Sequence, residues 1–171
     1  MRVYIYSKEV INLKKNIEKT NVMRILEQKK VDYNSYCYVD SDAISGTEIA
    51  AVLNEDPNRV FKTLVTVGAT KTNYVFVIPV EKELDLKKAA KCVGEKSISM
   101  VKSKELLGLT GYIHGGCSPI GMKKFFTTTF HTTAADFDKI FFSAGKIGYQ
   151  VELSLEDLKK VINFKLEDLV C

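Results

Sequence analysis

The sequence predicts a single α+β domain, in which a mixed, mostly antiparallel sheet forms a barrel-like core flanked by helices. Hairpin patterns dominate, and the clearest one joins an apolar run at 59–67 to a second apolar run at 74–80 through a polar turn. Helical patterns lie between the strands, and no repeat or linker divides the 171 residues. A chain of this length with 46% hydrophobic residues can bury one sizeable core.

The chain begins with a segment to which we assign no role. Residues 2–6 alternate like a strand, and residues 9–15 are compatible with a helix. We therefore separate an N-terminal extension at 1–16 from a domain at 17–171.

Local start and stop signals define the elements of the domain. Ser45 and Glu48 have the spacing of a capping box, and Gly94 ends a lysine-rich amphipathic pattern. The predicted order is a helix over 20–30, a strand over 33–39, a helix that starts after 45, the hairpin over 59–80, a helix over 85–93, a strand over 96–101, a short helix over 103–107, and strands over 125–132, 139–143 and 149–153. A final helix starts after Ser154 and includes Leu155, Leu158, Val161 and Ile162.

Composition limits the class of function. A net charge of +4 and a pI near 8.7 are compatible with a nucleic-acid partner without requiring one. No apolar run is long enough to span a bilayer, and the N-terminus lacks the apolar segment of a signal peptide, so we expect a cytoplasmic protein. The four cysteines and two histidines show no zinc-ligand spacing, so we predict no metal and no cofactor.

The stretch 112–124 is the first candidate for a functional site. It carries Gly115 and Gly116 in tandem, then Ser118 before a proline, and two lysines after Gly121. Such a loop can offer free backbone N–H groups, a hydroxyl and positive charge to a carbonyl oxygen, a phosphate or a ribose. The structural alternative is a tight turn between two strands.

Lys62 is the second candidate. Strand alternation places it on one face with Val60 and Leu64, so its ammonium must reach solvent, a carboxylate or a bound anion. The structural alternative is a lysine that snorkels from the end of a strand.

Three further residues could act as nucleophile or base. Cys117 lies near His114 in sequence, but sequence proximity does not establish a dyad, and we interpret Cys117 as structural. Ser143 closes a strand without a Gly-x-Ser-x-Gly elbow around it. His131 is either a general base or a partly buried structural residue.

Four separated motifs resemble those of the YbaK/EbsC family of aminoacyl-tRNA deacylases, the Cys-tRNA(Pro) deacylases. They occur in family order and are RVFKTL at 59–64, LDLKKAAK at 84–91, TGYIHGGCSPIGMKK at 110–124 and FSAGKIG at 142–148. The resemblance covers about residues 20–170. The glycine loop is more similar to the cysteine-specific branch than to the alanine-specific branch.

The resemblance implies a fold and an activity. The fold is the β-barrel with flanking helices of the YbaK/prolyl-tRNA synthetase-associated type. The activity is trans-editing hydrolysis of mischarged Cys-tRNA(Pro), bound by its 3′ end, often beside prolyl-tRNA synthetase. Lys62, Gly115 and Gly116 match the family's catalytic positions.

The predicted substrate-binding set contains four residues. Tyr38 and Ser143 match a pocket tyrosine and a pocket serine of the family, and Ser118 and Lys146 are polar residues of the matching motifs. Two departures bear on substrate choice: His114 stands where an aliphatic residue is usual, and Gln150 lies where some relatives carry aspartate.

The resemblance also implies substrate-assisted chemistry. The thiol of the bound cysteinyl group attacks its own ester carbonyl, while the enzyme supplies position and electrostatic stabilisation. Two other functions stay open at this point. One is a deacylase for Ala-tRNA(Pro) or Cys-tRNA(Cys), and the other is a non-catalytic module that binds tRNA or a synthetase.

Overall fold

Nine strands and five helices occur in the part of the chain that a computed structural model describes, residues 4–6, 18–39 and 41–171. The strands are β1 Tyr4–Tyr6, β2 Asn34–Cys37, β3 Phe61–Gly68, β4 Asn73–Pro79, β5 Ile98–Met100, β6 Thr127–His131, β7 Ile140–Ser143, β8 Tyr149–Leu153 and β9 Lys165–Glu167. The helices are α1 Asn21–Gln28, α2 Gly46–Leu53, α3 Leu86–Val93, α4 Ser103–Thr110 and α5 Leu155–Lys159. The predicted strand near the N-terminus is confirmed as β1, and the predicted helix at 9–15 lies outside the described residues.

The helix boundaries follow from capping side chains. Ser45 Oγ accepts a hydrogen bond from the Glu48 N–H at 3.3 Å, and the Glu48 carboxylate accepts one from the Ser45 N–H at 2.8 Å. This capping box starts α2 as predicted. Asp85 caps α3, and Gly94 ends it in the left-handed conformation with a φ of 73°.

Two sheets form the core of the fold. One has the strand order β1-β2-β8-β7, and the other has the order β5-β3-β4-β6-β9. The pairings β4–β6 and β6–β9 are parallel, and the other strand pairs are antiparallel. The prediction of an α+β domain with mixed, mostly antiparallel pairing is confirmed.

The inner faces of the two sheets bury the main apolar cluster. Val75, Val77 and Phe130 of the five-stranded sheet and Phe142 and Val151 of the four-stranded sheet are fully buried in it. Burial of each such side chain contributes about 1.5–3 kcal/mol. This shared core holds the relative positions of β3, β7 and β8, which carry the site described below.

The two sheets meet at β3 and β7 but do not close into a barrel. A single parallel bridge joins Val60 to Phe141, and β5 pairs with β3 only from Thr66 onward. Successive residues of β3 direct their backbone N–H and C=O groups toward opposite edges. On the edge facing β4, the Val60 carbonyl accepts a hydrogen bond from the Val80 N–H, and on the edge facing β5, the Val65 carbonyl accepts one from the Val101 N–H. Between the bridge and Thr66, no described strand covers this second edge of β3.

Arg59 ties the sheets together at this junction. Its guanidinium donates hydrogen bonds to the Lys139 carbonyl at 3.2 and 3.3 Å and to Glu152 Oε1 at 3.1 Å, and it lies 5.1 Å from the centroid of the Phe141 ring. Glu152 is 8% exposed and also accepts a hydrogen bond from the Tyr36 hydroxyl at 2.7 Å. A carboxylate with several donors can remain charged while buried.

Three expectations need correction. The predicted order ends with a helix, but the segment after it forms β9, which pairs in parallel with β6. Helix α4 extends to Thr110, so the glycine loop follows a helix and is not a turn between two strands. The final helix ends at Lys159, and Val161 and Ile162 pack against the core from outside it. Within the described residues, no helix combines the length and apolarity needed to cross a bilayer.

Candidate active site

A cleft of about 270 Å³ opens along the uncovered edge of β3. Its walls come from β3, the residues that precede and begin α2, the start of α4, the glycine loop, and the facing ends of β7 and β8. It brings together six residues singled out in the sequence: Lys62, His114, Gly115, Cys117, Ser143 and Gln150. A concave pocket with a few converging polar groups is the usual form of a ligand site.

Lys62 enters the cleft from β3, where it lies opposite Ile78 of β4. Its Nζ donates a hydrogen bond to Glu83 Oε1 at 3.3 Å, so the ammonium reaches a carboxylate, one of the three predicted outcomes. Glu83 is 84% exposed, and an ion pair this open to water contributes about 0–1 kcal/mol. An anionic ligand can therefore displace Glu83 at little cost.

Glycine is required at positions 115 and 116 for different structural reasons. Gly115 lines the cleft with a φ of 86°, and its N–H has no hydrogen-bond partner among the described residues. Gly116 does not have a positive φ, and its N–H donates to the Ile113 carbonyl at 3.0 Å. A Cβ on Gly116 would lie 3.2 Å from the Ile147 backbone nitrogen, so glycine here permits two backbone segments to approach.

The free N–H predicted for this loop is thus present at Gly115 and used internally at Gly116. Gly116 shapes the wall behind the cleft instead of lining it, because it fixes the distance to the loop that follows β7.

Ser143 presents its hydroxyl at the end of β7. The oxygen accepts a hydrogen bond from the Gly145 N–H at 3.1 Å, which leaves the hydroxyl proton to donate to a ligand. Lys146 is not part of the cleft lining; its ammonium pairs with Glu18 and lies 5.6 Å from the centroid of the Tyr149 ring.

Tyr38 and Ser118 lie behind the cleft walls. Tyr38 is 3% exposed, its hydroxyl is 3.5 Å from Gln150 Nε2, and burial raises the pKa of its phenol. Ser118 is fully buried, and its Oγ accepts a hydrogen bond from the Ile120 N–H at 3.3 Å within the loop. Among the described contacts, both therefore support neighbouring groups, Gln150 in one case and the loop in the other.

Sequence reasoning missed Thr63. Strand alternation assigns it to the face opposite Lys62, but both line the cleft, because the cleft wraps around the open edge of β3. Its Oγ1 is buried without a hydrogen-bond partner among the described residues. The only sequence signal was its place beside Lys62 in the motif at 59–64.

The protein's own nucleophile candidates are poorly placed for catalysis. Burial raises the pKa of the Cys117 thiol to about 12, so it stays protonated at neutral pH. His131 lies at a separate groove with Thr133 and Asp136, its Nδ1 accepts a hydrogen bond from the Leu169 N–H at 3.1 Å, and burial lowers its pKa. Over the described ranges, no cluster of three His, Cys, Asp or Glu side chains could hold a metal ion.

Comparison with known proteins identifies the family. The family model of the aminoacyl-tRNA editing domain matches residues 41–161. The chain belongs to this family. The matched segment of the editing domain contains Lys62, both glycines of the loop, Ser143 and Gln150, so it spans the whole cleft.

A curated relative agrees with this family. The chain is 46% identical over 157 residues to EbsC of Enterococcus faecalis (strain ATCC 700802 / V583), named as a candidate Cys-tRNA(Pro)/Cys-tRNA(Cys) deacylase. The aligned region covers 91% of this chain and 96% of that protein. The resemblance to the YbaK/EbsC family is confirmed.

Solved structures share the fold of the editing domain. A candidate trans-editing enzyme for prolyl tRNA synthetase superposes with a TM-score of 0.77 at 20% identity, over 88% of this chain and 94% of that one. A second structure, of a protein solved without a known function, gives a TM-score of 0.79 at 20% identity, over 89% and 99% of the two chains. Identities this low establish a common fold and nothing finer.

Proposed function

We propose that the protein hydrolyses the ester bond of Cys-tRNA(Pro), acting in trans as an editing deacylase. The observation that carries this proposal is a cleft that offers a displaceable ammonium, a free backbone N–H and a free hydroxyl proton without an activated nucleophile. Family membership and the name of the Enterococcus faecalis relative support the same substrate class.

The ammonium, the backbone N–H and the hydroxyl have separate roles in this proposal. The Lys62 ammonium exchanges Glu83 for the negative charge of the tRNA 3′ end. The Gly115 N–H donates to the ester carbonyl oxygen as negative charge develops on it, and the Ser143 hydroxyl orients the acyl group. Gly116 keeps the loop close to the 146–147 backbone, and Ser118 holds the loop from within. Tyr38 contacts Gln150, and Lys146 adds positive charge outside the cleft lining.

The nucleophile is the thiol of the substrate. The cysteinyl sulfur forms a bond to its own ester carbonyl carbon, the carbon–oxygen bond to the ribose breaks, and the thiol proton passes to the departing ribose oxygen. Water then opens the resulting cyclic thioester to free cysteine. A thiol is suited to this step because a few per cent is already thiolate at neutral pH. The protein's own Cys117 does not compete, since its thiol is buried and protonated.

The cleft, with a volume of about 270 Å³, is large enough for an aminoacyl group and its ribose but not for the body of a tRNA. We therefore expect the protein alone to hydrolyse Cys-tRNA(Cys) as well, in line with the double name of the Enterococcus faecalis relative. Preference for tRNA(Pro) would then come from association with prolyl-tRNA synthetase in the cytoplasm.

The test is a deacylation assay on Cys-, Ala- and Pro-tRNA(Pro) and on Cys-tRNA(Cys). We expect fast hydrolysis of both cysteinyl esters and slow hydrolysis of the alanyl and prolyl esters. Faster hydrolysis of Ala-tRNA(Pro) would assign the protein to a different deacylase specificity. Tight binding of Cys-tRNA(Pro) with no hydrolysis above the spontaneous rate would make it a binding module.

A further inference from the structure

The proposed reaction assigns no role to the amide of Gln150, a buried polar group in the wall of the cleft. Gln150 is 5% exposed on β8 and lines the cleft. Its Nε2 lies 3.5 Å from the Tyr38 hydroxyl, and its Oε1 is buried with no hydrogen-bond partner in the part of the chain that the structure describes. A buried acceptor without a donor is costly, so it indicates a ligand that supplies the donor.

The strand register places this acceptor beside the reacting group. Gln150 pairs with Ser143 across β7 and β8, so the two side chains project from the same face of the sheet. The Ser143 hydroxyl has a free proton, and Gln150 Oε1 has free lone pairs. The ligand that fits both carries an acceptor and a strong donor on adjacent carbon atoms.

An α-amino ester has this arrangement, because its carbonyl oxygen accepts and its α-ammonium donates. We propose that Gln150 Oε1 accepts a hydrogen bond from the α-ammonium of the bound aminoacyl group. The cleft then selects esters with a free amine over esters whose nitrogen is acylated, such as peptidyl-tRNA. This inference rests on the proposed deacylase function.

The amide suits this role because it is neutral. A carboxylate at a position 5% exposed would leave a buried charge whenever the cleft is empty, whereas an amide oxygen pays only for one missing hydrogen bond. The Tyr38 hydroxyl lies 3.5 Å from Nε2, at the other end of the amide, and limits the orientations that the amide can adopt.

The test compares cysteinyl-tRNA with 3-mercaptopropionyl-tRNA, which keeps the thiol and lacks the amine. Both esters are given to the wild type, to Gln150→Met, and to the control Gln28→Met, since Gln28 is exposed at the end of α1. We expect Gln150→Met to lower kcat/KM about 10- to 100-fold on cysteinyl-tRNA, the effect of losing a hydrogen bond to a charged group. On 3-mercaptopropionyl-tRNA the same substitution should change kcat/KM less than about threefold.

The amine also changes the intrinsic reactivity of the ester, but this change is the same for the wild type and the variant. It therefore cancels when the loss in kcat/KM on cysteinyl-tRNA is divided by the loss on 3-mercaptopropionyl-tRNA. Equal losses on both esters would overturn the role of Gln150 and leave the deacylase function intact, whereas a wild type inactive on both esters would overturn the function itself. If Gln150→Met does not fold, Gln150→Leu replaces it: this variant is also neutral and lacks the acceptor, so the loss in kcat/KM should again be confined to cysteinyl-tRNA. An equal loss on both esters in Gln150→Leu would contradict the proposal.

Discussion

Removal of the Lys62 ammonium tests the proposed binding of the tRNA 3′ end. Lys62→Met keeps the apolar stem along β3 and deletes only the charge. The pair with Glu83 joins a side chain that is 29% exposed to one that is 84% exposed, so its loss should lower the free energy of unfolding by less than about 1 kcal/mol. The loss of an ammonium that pairs with the negative charge of the tRNA 3′ end leaves that charge unpaired in the cleft and should reduce kcat/KM about 10²- to 10³-fold.

The assay is single-turnover deacylation of Cys-tRNA(Pro), together with urea unfolding at an unchanged m-value. Glu83→Gln is the matched control, because it breaks the same ion pair and retains the ammonium. We expect Glu83→Gln to deacylate at or above the wild-type rate. Wild-type activity in a folded Lys62→Met, or an equal loss of activity in both variants, would refute the assigned role of Lys62.

Three further predictions concern the loop, the spare nucleophiles and the junction of the sheets. Gly116→Ala should lower kcat about tenfold with a change in unfolding free energy within about 1 kcal/mol, because its Cβ would lie 3.2 Å from the Ile147 nitrogen and displace the wall beside the cleft; an unchanged kcat would contradict this. Cys117→Ala and His114→Ala should each retain deacylation within about fivefold of the wild type, and a larger loss in a folded variant would restore a Cys/His mechanism. Glu152→Gln should lower the free energy of unfolding by about 2 kcal/mol in urea titrations, since the 8% exposed carboxylate accepts hydrogen bonds from three side chains, and a loss below about 0.5 kcal/mol would contradict that reasoning.

The sequence predicted those elements whose signals are local. The capping box of Ser45 and Glu48 and the stop at Gly94 lie within a few residues of the boundaries that they set, so α2 and α3 could be placed from the sequence. Strand β9 could not, because its three residues are exposed and its pairing with β6 joins segments more than thirty residues apart.

The sequence predicted several residues of the candidate site but not the shape of the cleft that brings them together. Lys62 and Gly115 were found because a lysine between apolar neighbours and a tandem glycine are unusual patterns. The cleft itself arises from a gap in the pairing of β3, which depends on where β5 and β7 end and has no local signal. For the same reason, only the three-dimensional structure shows that Thr63 and Gln150 line the cleft and have buried, unpartnered oxygen atoms.

The most direct test of the proposed chemistry compares Cys-tRNA(Pro) with Ser-tRNA(Pro) in single-turnover deacylation, with identification of the first product. If the substrate thiol is the nucleophile, the cysteinyl ester should react at least about 100-fold faster, since a hydroxyl is almost fully protonated and weakly nucleophilic at neutral pH. A cyclic thioester should then be trapped before free cysteine appears. Equal rates, with free cysteine as the first product, would mean that water attacks directly and that the cleft contains a general base other than those considered above.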